Sequence, residues 1–221
     1  MSVTEMFSSI QGSLSADQDI REDIRKVVQT LEQTGREILT VLQSVHQTAG
    51  FKEIPSKCER ARELFCTVRT QIAELKTKFP TEQYYRFHEH WRFVLQRLAF
   101  LATFVVYLET ETLVVREEVA KILGIEVVRE KGFHLDVEDY LAGVLIMASE
   151  LVRIELLYKK ASQTPKLRLL RFSAILDFVK NSFFQTSPKR LVRIIHNFLW
   201  FIIGSMPSEI MFERLLICHC F

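Results

Sequence analysis

Apolar residues along the first 150 positions return at three- and four-residue steps, the period of a helix with one buried face. The first such run extends from about Ser15 to Gln47. Ser15-x-x-Gln18 reads as a capping box, and Asp17 and Asp19 as the acidic first turn that the helix dipole favours. Ile20, Ile24, Val27, Leu31, Ile38, Val41 and Val45 then form a seam, interrupted at Thr34 and Gly35. That spacing predicts packing on a second helix, of the same chain or of another.

A connection from Ala49 leads to Pro55, which suits the first turn of a helix, where the missing N–H would have no partner. This second helix reaches about Phe79, and Pro80 stops it. A third helical region spans about Glu82 to Leu123 with a break near Glu109 to Thr112, and Gly124 is placed as its C-terminal stop. After a polar loop from Gly124 to His134, Asp136-x-x-Asp139 predicts the cap of a helix whose Val137, Tyr140, Leu141, Val144, Leu145, Ala148 and Leu151 share a face. The expected fold is all-α, a bundle of four or five mostly long helices.

The character changes at about Ile154. Lys159, Lys160, Lys166, Arg168, Arg171, Lys189, Arg190 and Arg193 alternate with Leu, Ile and Phe, so the chain divides into a helical body, 1–153, and a basic, apolar tail, 154–221. The apolar run 194–203, between Arg193 and Pro207, falls short of the roughly 20 residues a bilayer-spanning helix needs. A buried helix, a membrane-surface segment and an aggregation-prone tail are the readings left for it, and no membrane association is expected of the body.

Composition adds limits. At 221 residues, 48% hydrophobic and 25% charged, the chain can bury a large core, which excludes a disordered protein. Seven Gly and five Pro are too few for the turns of a protein built of many short strands. The first six residues, Met1 to Met6, hold no basic start with an apolar run behind it, so an intracellular protein is expected. Cys58, Cys66, Cys218 and Cys220 fit neither a disulfide ladder nor a zinc knuckle, and Cys218-His219-Cys220 would need a fourth ligand from elsewhere. The net charge of +2 hides a split: residues 1–153 hold 19 Lys+Arg against 23 Asp+Glu, net −4, and residues 154–221 hold 10 against 4, net +6. An acidic body that binds a polyanion has to gather its cations locally.

The densest gathering is Tyr84-Tyr85-Arg86-Phe87-His88-Glu89-His90-Trp91-Arg92-Phe93, with Arg97 beyond it. Wound as one helix, Phe87, Trp91, Val94, Leu95, Leu98 and Leu101 point inward. Arg86, His90 and Arg97 then fall within about 40° of one another on the opposite side, with His88 and Arg92 along a second edge. Arginine pairs bidentately with phosphate oxygens, and histidine donates a hydrogen bond or stacks on an unstacked base, a chemistry suited to single strands. The same pattern also describes a solvated face above a packed one. Lys57, Arg60 and Arg62 form a second basic group, equally readable as a solvated helix face paired with Glu59 and Glu63. Metal-dependent phosphodiester cleavage needs converging carboxylates, but Glu109, Glu111, Glu117, Glu118, Asp136, Glu138 and Asp139 sit mostly at helix ends, where dipole and capping roles explain them, and Glu150 stands alone in its helix. No catalytic residue, metal site or cofactor is expected. Phosphate-cradling Gly-rich loops, HExxH and GxSxG are absent, so nucleotide hydrolysis, zinc proteolysis and serine-esterase chemistry have no support.

The string from Lys76 to Pro80 and from Glu82 to Leu98, with Asp19-Ile20-Arg21-Glu22 upstream and Val105 to Leu113 and Lys131 to Leu141 downstream, resembles the translin and translin-associated factor X family over about residues 1–153. The resemblance implies an all-helical subunit of a ring-like, octamer-like oligomer that binds single-stranded DNA and RNA. It also implies a paralogous partner, translin-associated factor X, that trims RNA and helps to activate RNA silencing, in the cytoplasm and the nucleus. In that family the segment matching Arg86, Phe87, His88, Glu89 and His90, extended here to Arg92, is assigned to nucleic acid, as is a basic stretch matching Lys57, Arg60 and Arg62. Ser56 and Glu59 make that second stretch less basic than the family pattern. Catalysis belongs to carboxylates of the paralogue, one of which falls where this chain has Ile146, a residue that cannot hold a metal. The alternatives are a metal-dependent endoribonuclease in its own right, whose cleavage EDTA would abolish, and a defective or regulatory isoform. The isoform reading rests on the tail, which lacks the family's final helices and their leucine repeat.

Overall fold

The computed structural model describes residues 3–46 and 53–160; the tail expected from residue 154 begins inside its last helix, and residues 161–221, with the run 194–203 and Cys218-His219-Cys220, lie outside the described residues. Six helices follow in order: α1, Val3–Gln43; α2, Ile54–Thr77; α3, Tyr84–Phe87, a single turn; α4, Arg92–Thr110; α5, Arg116–Leu123; and α6, Val137–Lys160. No strand forms among the described residues. One isolated bridge joins Glu126 to His134 and closes the loop between α5 and α6.

The all-α expectation holds, and so do several stops. Pro55 stands in the first turn of α2. Gly124 ends α5 in the left-handed region at φ 68°, its N–H reaching the carbonyls of Ala120 and Lys121, a geometry glycine adopts without a Cβ penalty. Two boundaries differ. Helix α1 begins at Val3, a dozen residues before the proposed cap at Ser15, because nothing between Val3 and Ser15 breaks a helix. That early stretch leaves Val3, Phe7, Ile10 and Leu14 exposed. The region from Glu82 is also broken where one helix was predicted: a 3-10 turn, His88–His90, and Trp91 separate α3 from α4.

The seam of α1 packs within the chain. Ile24, Val27, Leu31, Ile38 and Val45 are buried, Ile20 lies partly so, and α1 rests on α2 and α4. Its polar interruption is filled, since Thr34 Oγ1 accepts from Gln71 Nε2 of α2 at 3.0 Å, and Leu98 of α4 lies against Gly35. Helix α4 is the central element, with Val94, Leu95, Leu98 to Val105, Tyr107 and Leu108 buried against α6, α1, α2 and α5. It is the one described helix long and apolar enough to cross a membrane, and 67% of its apolar window is buried inside the fold, as for a core helix. Phe79, Tyr84, Trp91 and Phe133 form an aromatic cluster, with Phe79 stacked on Trp91 at 4.7 Å. This cluster pins the broken segment 84–91 against the α5–α6 loop.

Candidate nucleic-acid interface

The basic segment presents two edges, each facing a different helix, and each continues across the break at Trp91. Toward α1, Arg86 donates from Nη2 to Asp17 Oδ2 at 2.6 Å, and Arg97 donates from Nη1 to Glu32 Oε1 at 3.2 Å. His90 lies on the same side, its pKa lowered first by burial and then by the charges of Arg21 and Arg25 on α1. Toward α6, His88 donates from Nε2 to Asp139 Oδ2 at 2.9 Å, and Arg92 lies 3.7 Å from Asp139 Oδ1 and 3.3 Å from Glu89. The predicted grouping of Arg86, His90 and Arg97 against His88 and Arg92 therefore appears, each set held by carboxylates distant in sequence.

Burial separates the members. Arg86 and Glu89 are exposed, and Arg92 and His90 are partly so. Phe87 is fully buried; it touches the interface through the guanidinium carbons of Arg86 and Arg21, which lie 5.6 and 5.8 Å from its ring centre. His88 is mostly enclosed, stacked on Tyr84 at 5.2 Å and fixed by Asp139, which is 1% exposed. An exposed ion pair is worth roughly 0–1 kcal/mol, so phosphate can replace Asp17 or Glu89 on its arginine at little cost. The His88–Asp139 pair is different, since a buried carboxylate that loses its donors is strongly penalised.

Asp136 and Asp139 stand at the start of α6 as predicted, Asp136 directly before it and Asp139 in its acidic first turn, but their carboxylates also take side-chain partners. Asp139 spends its carboxylate on His88 and on Gln96 Nε2, at 2.8 Å, while Asp136 Oδ1 accepts from the Tyr85 hydroxyl at 3.3 Å and lies 3.2 Å from His134 Nε2. His88, Asp136 and Asp139 bring donor atoms within 4.8 Å of one another, a set of metal-ligating types. A cation there would displace His88 and Gln96 from a satisfied buried carboxylate with a guanidinium already beside it, so the arrangement reads as a scaffold for His88.

The second basic group sits elsewhere. Lys57 pairs with Glu53 at 3.2 Å and Arg60 with Glu63 at 2.6 Å, and Arg62 forms a two-point pair with Glu109. The Arg60–Glu63 pair is the one anticipated; Lys57 and Arg62 take partners other than Glu59. Pro55, Cys58, Arg62, Cys66, Arg69 and Glu109 line an open groove beside it. Cys58 is buried there, its thiol pushed up to about 11 chiefly by desolvation. Glu109 is engaged by Arg62, and Ile146 is exposed on α6 and offers no ligand.

Four residues of this surface were given no binding role by the sequence reading. Phe93 is 73% exposed at the start of α4, an aromatic ring without apolar cover. Arg21 and Arg25 of α1 adjoin His90, and Asp17 joins Arg86 to Arg21. Phe93 was legible as a residue outside the inward set of the helix; the α1 residues come from nearly 70 positions away and had no local signal.

The fold and the two arginine–histidine edges define an all-helical protein with a compact cationic surface. The Translin family model matches residues 19–190, and the chain belongs to that family of nucleic-acid-binding proteins. It is 73% identical over 154 residues to Translin of Gallus gallus, covering 70% of this chain and 67% of that protein, and 74% identical over 154 residues to Translin of Homo sapiens, covering 70% and 68%. Among solved structures, that of apo-NeC3PO aligns with a TM-score of 0.45 at 18% identity, covering 86% of this chain and 96% of that one.

Proposed function

We propose that this chain binds single-stranded DNA and RNA as a subunit of an oligomer, and supports RNA processing in cytoplasm and nucleus beside a paralogous subunit that supplies the catalytic carboxylates. The observation that carries the reading is the surface of segment 86–93. Arg86 pairs with the partly solvated Asp17 and Arg92 with the exposed Glu89, the charges of Arg21 and Arg25 reach His90, and Phe93 presents its ring to solvent. Single strands are held by cations along the backbone and by aromatic faces under unstacked bases, and this segment offers both within ten residues.

The test is fluorescence anisotropy with a labelled single-stranded oligonucleotide across a salt series. Arg86→Ala and Arg92→Ala should each flatten the slope of log affinity against log salt by about 0.7, the value for one phosphate contact on a single strand. Phe93→Ala should weaken binding at every salt concentration by about 1–3 kcal/mol, the range for one stacked base, and leave the slope alone. Binding should survive EDTA. Slopes unchanged in both arginine variants would remove the assignment.

A further inference from the structure

Asp17, Arg21 and Arg25 recur every four residues on α1 and so share one face of the helix. That face meets the α3 turn. A single carboxylate oxygen, Asp17 Oδ2, lies 2.6 Å from Arg86 Nη2 and 3.7 Å from Arg21 Nη2. Both guanidinium carbons lie within 6 Å of the buried ring of Phe87, which sets their spacing. Arg25 continues the row one turn on, exposed and with no ion pair among the described residues, and close enough to His90 for its charge to be felt there. Two permanent cations thus share one acid, with a third one turn further along the same face. Of the other carboxylates of this stretch, Asp19 is exposed and makes no ion pair among the described residues, and Glu22 and Asp23 are engaged with Lys26, at 3.8 and 3.3 Å, on a different side of α1.

We propose that Arg21 and Arg86 form a phosphodiester-binding subsite between α1 and α3, that Arg25, one turn on along the same face, meets the next phosphate of the strand, and that the Asp17 carboxylate occupies the subsite in the free chain as a stand-in for phosphate. The inference rests on the reading of Arg86 as a nucleic-acid contact and extends the interface onto α1. A carboxylate and a phosphodiester present the same kind of paired anionic oxygens to guanidinium groups. The Asp17 pairs are partly solvated and weak, so an incoming phosphate can displace the carboxylate while the two arginines stay in place. Asp17 then sets a threshold: it holds the arginines in register and competes with every weak anion, a competition that a strand engaged at several points wins.

The experiment measures affinity of the full chain for a labelled oligo-dT strand by anisotropy between about 50 and 200 mM salt, the range over which phosphate contacts dominate. Asp17→Asn, which keeps the shape and removes the charge, should tighten binding about twofold to fivefold, the scale of one exposed ion pair. Arg21→Ala and Arg25→Ala should each flatten the salt slope by about 0.7, and Arg21→Lys and Arg25→Lys should restore most of it. Circular dichroism melting checks each fold, and if an alanine variant melts early, the lysine variants and Asp17→Asn decide. Affinity unchanged or weakened in Asp17→Asn overturns the stand-in role, and slopes unmoved in both arginine variants overturn the subsite. Should Arg86→Ala and Arg92→Ala also leave the slope unmoved, the nucleic-acid reading of segment 86–93 fails with it; if they flatten it while Arg21→Ala and Arg25→Ala do not, only the extension fails.

Discussion

His90 shows how one residue of the interface senses its neighbours. Burial disfavours its charged form, and Arg21 and Arg25 disfavour it further, so its pKa stands below the ordinary histidine value of 6.5. In the free chain this works against folding in acid: the unfolded state binds the proton more readily, and stability falls as pH drops from about 6.5 through the folded pKa. A phosphodiester at the ring reverses the balance by favouring the imidazolium. Binding then takes up a proton, and affinity rises as pH falls below about 6.5, levelling off beneath the free-state pKa. Anisotropy titrations at about pH 7.5 and pH 5.5 check this, with His90→Gln as the comparison. The wild type should bind more tightly at the lower pH by a factor that His90→Gln loses; equal pH dependence in the two proteins would mean that His90 faces no phosphate.

At the scale of elements, α4 and α6 approach each other closely in the core, and a glycine makes it possible. A Cβ added at Gly143 would stand 2.7 Å from the backbone N of Phe100 and 2.9 Å from Ala99 Cβ, closer than helices can approach without shifting. Gly143→Ala should therefore destabilise by about 1–3 kcal/mol, the usual penalty for overpacking, despite alanine's better helix propensity. Gly12 is the opposite case, with nothing within 4 Å of its would-be Cβ on exposed α1, so Gly12→Ala should stabilise by up to about 1 kcal/mol. Urea denaturation of both variants checks the contrast, and the same sign in both would refute the packing argument. This contrast also marks how far the sequence is legible. Periodicity, Pro55, Pro80 and Gly124 locate the main helices because they act through local backbone geometry. The close approach at Gly143 depends on a second helix 40 residues away, and the break at Trp91 depends on aromatic contacts with Phe79 and Phe133. The two edges of the basic segment were legible from angular spacing, whereas their acids, Asp17, Glu32 and Asp139, lie between 40 and 70 residues away and leave no pattern in the local sequence.

For the whole molecule the arrangement of charge sets how binding must work. The body, residues 1–153, is net −4, and almost every interface arginine already has an acidic partner in its own chain. The two basic groups are also far apart: Arg62 meets Glu109 near the C-terminal end of α4 while Arg92 opens its N-terminal end, about 25 Å away at roughly 1.5 Å of rise per residue. One subunit therefore offers a strand two small footholds of weak, exchangeable contacts, each giving modest affinity. Repeating those footholds around an assembly of subunits, as family membership leads us to expect, turns each further contact into an intramolecular event and raises affinity without new chemistry. Light scattering coupled to size-exclusion chromatography of the full chain should show a discrete assembly that carries a labelled oligonucleotide with it. Affinity should climb with strand length until the strand spans neighbouring subunits, by about 100-fold or more over a strand that reaches one. A monomer that binds short and long strands alike would place all the affinity in a single chain, and the basic edges described here, each neutralised by its own acid, would be too weak to supply it.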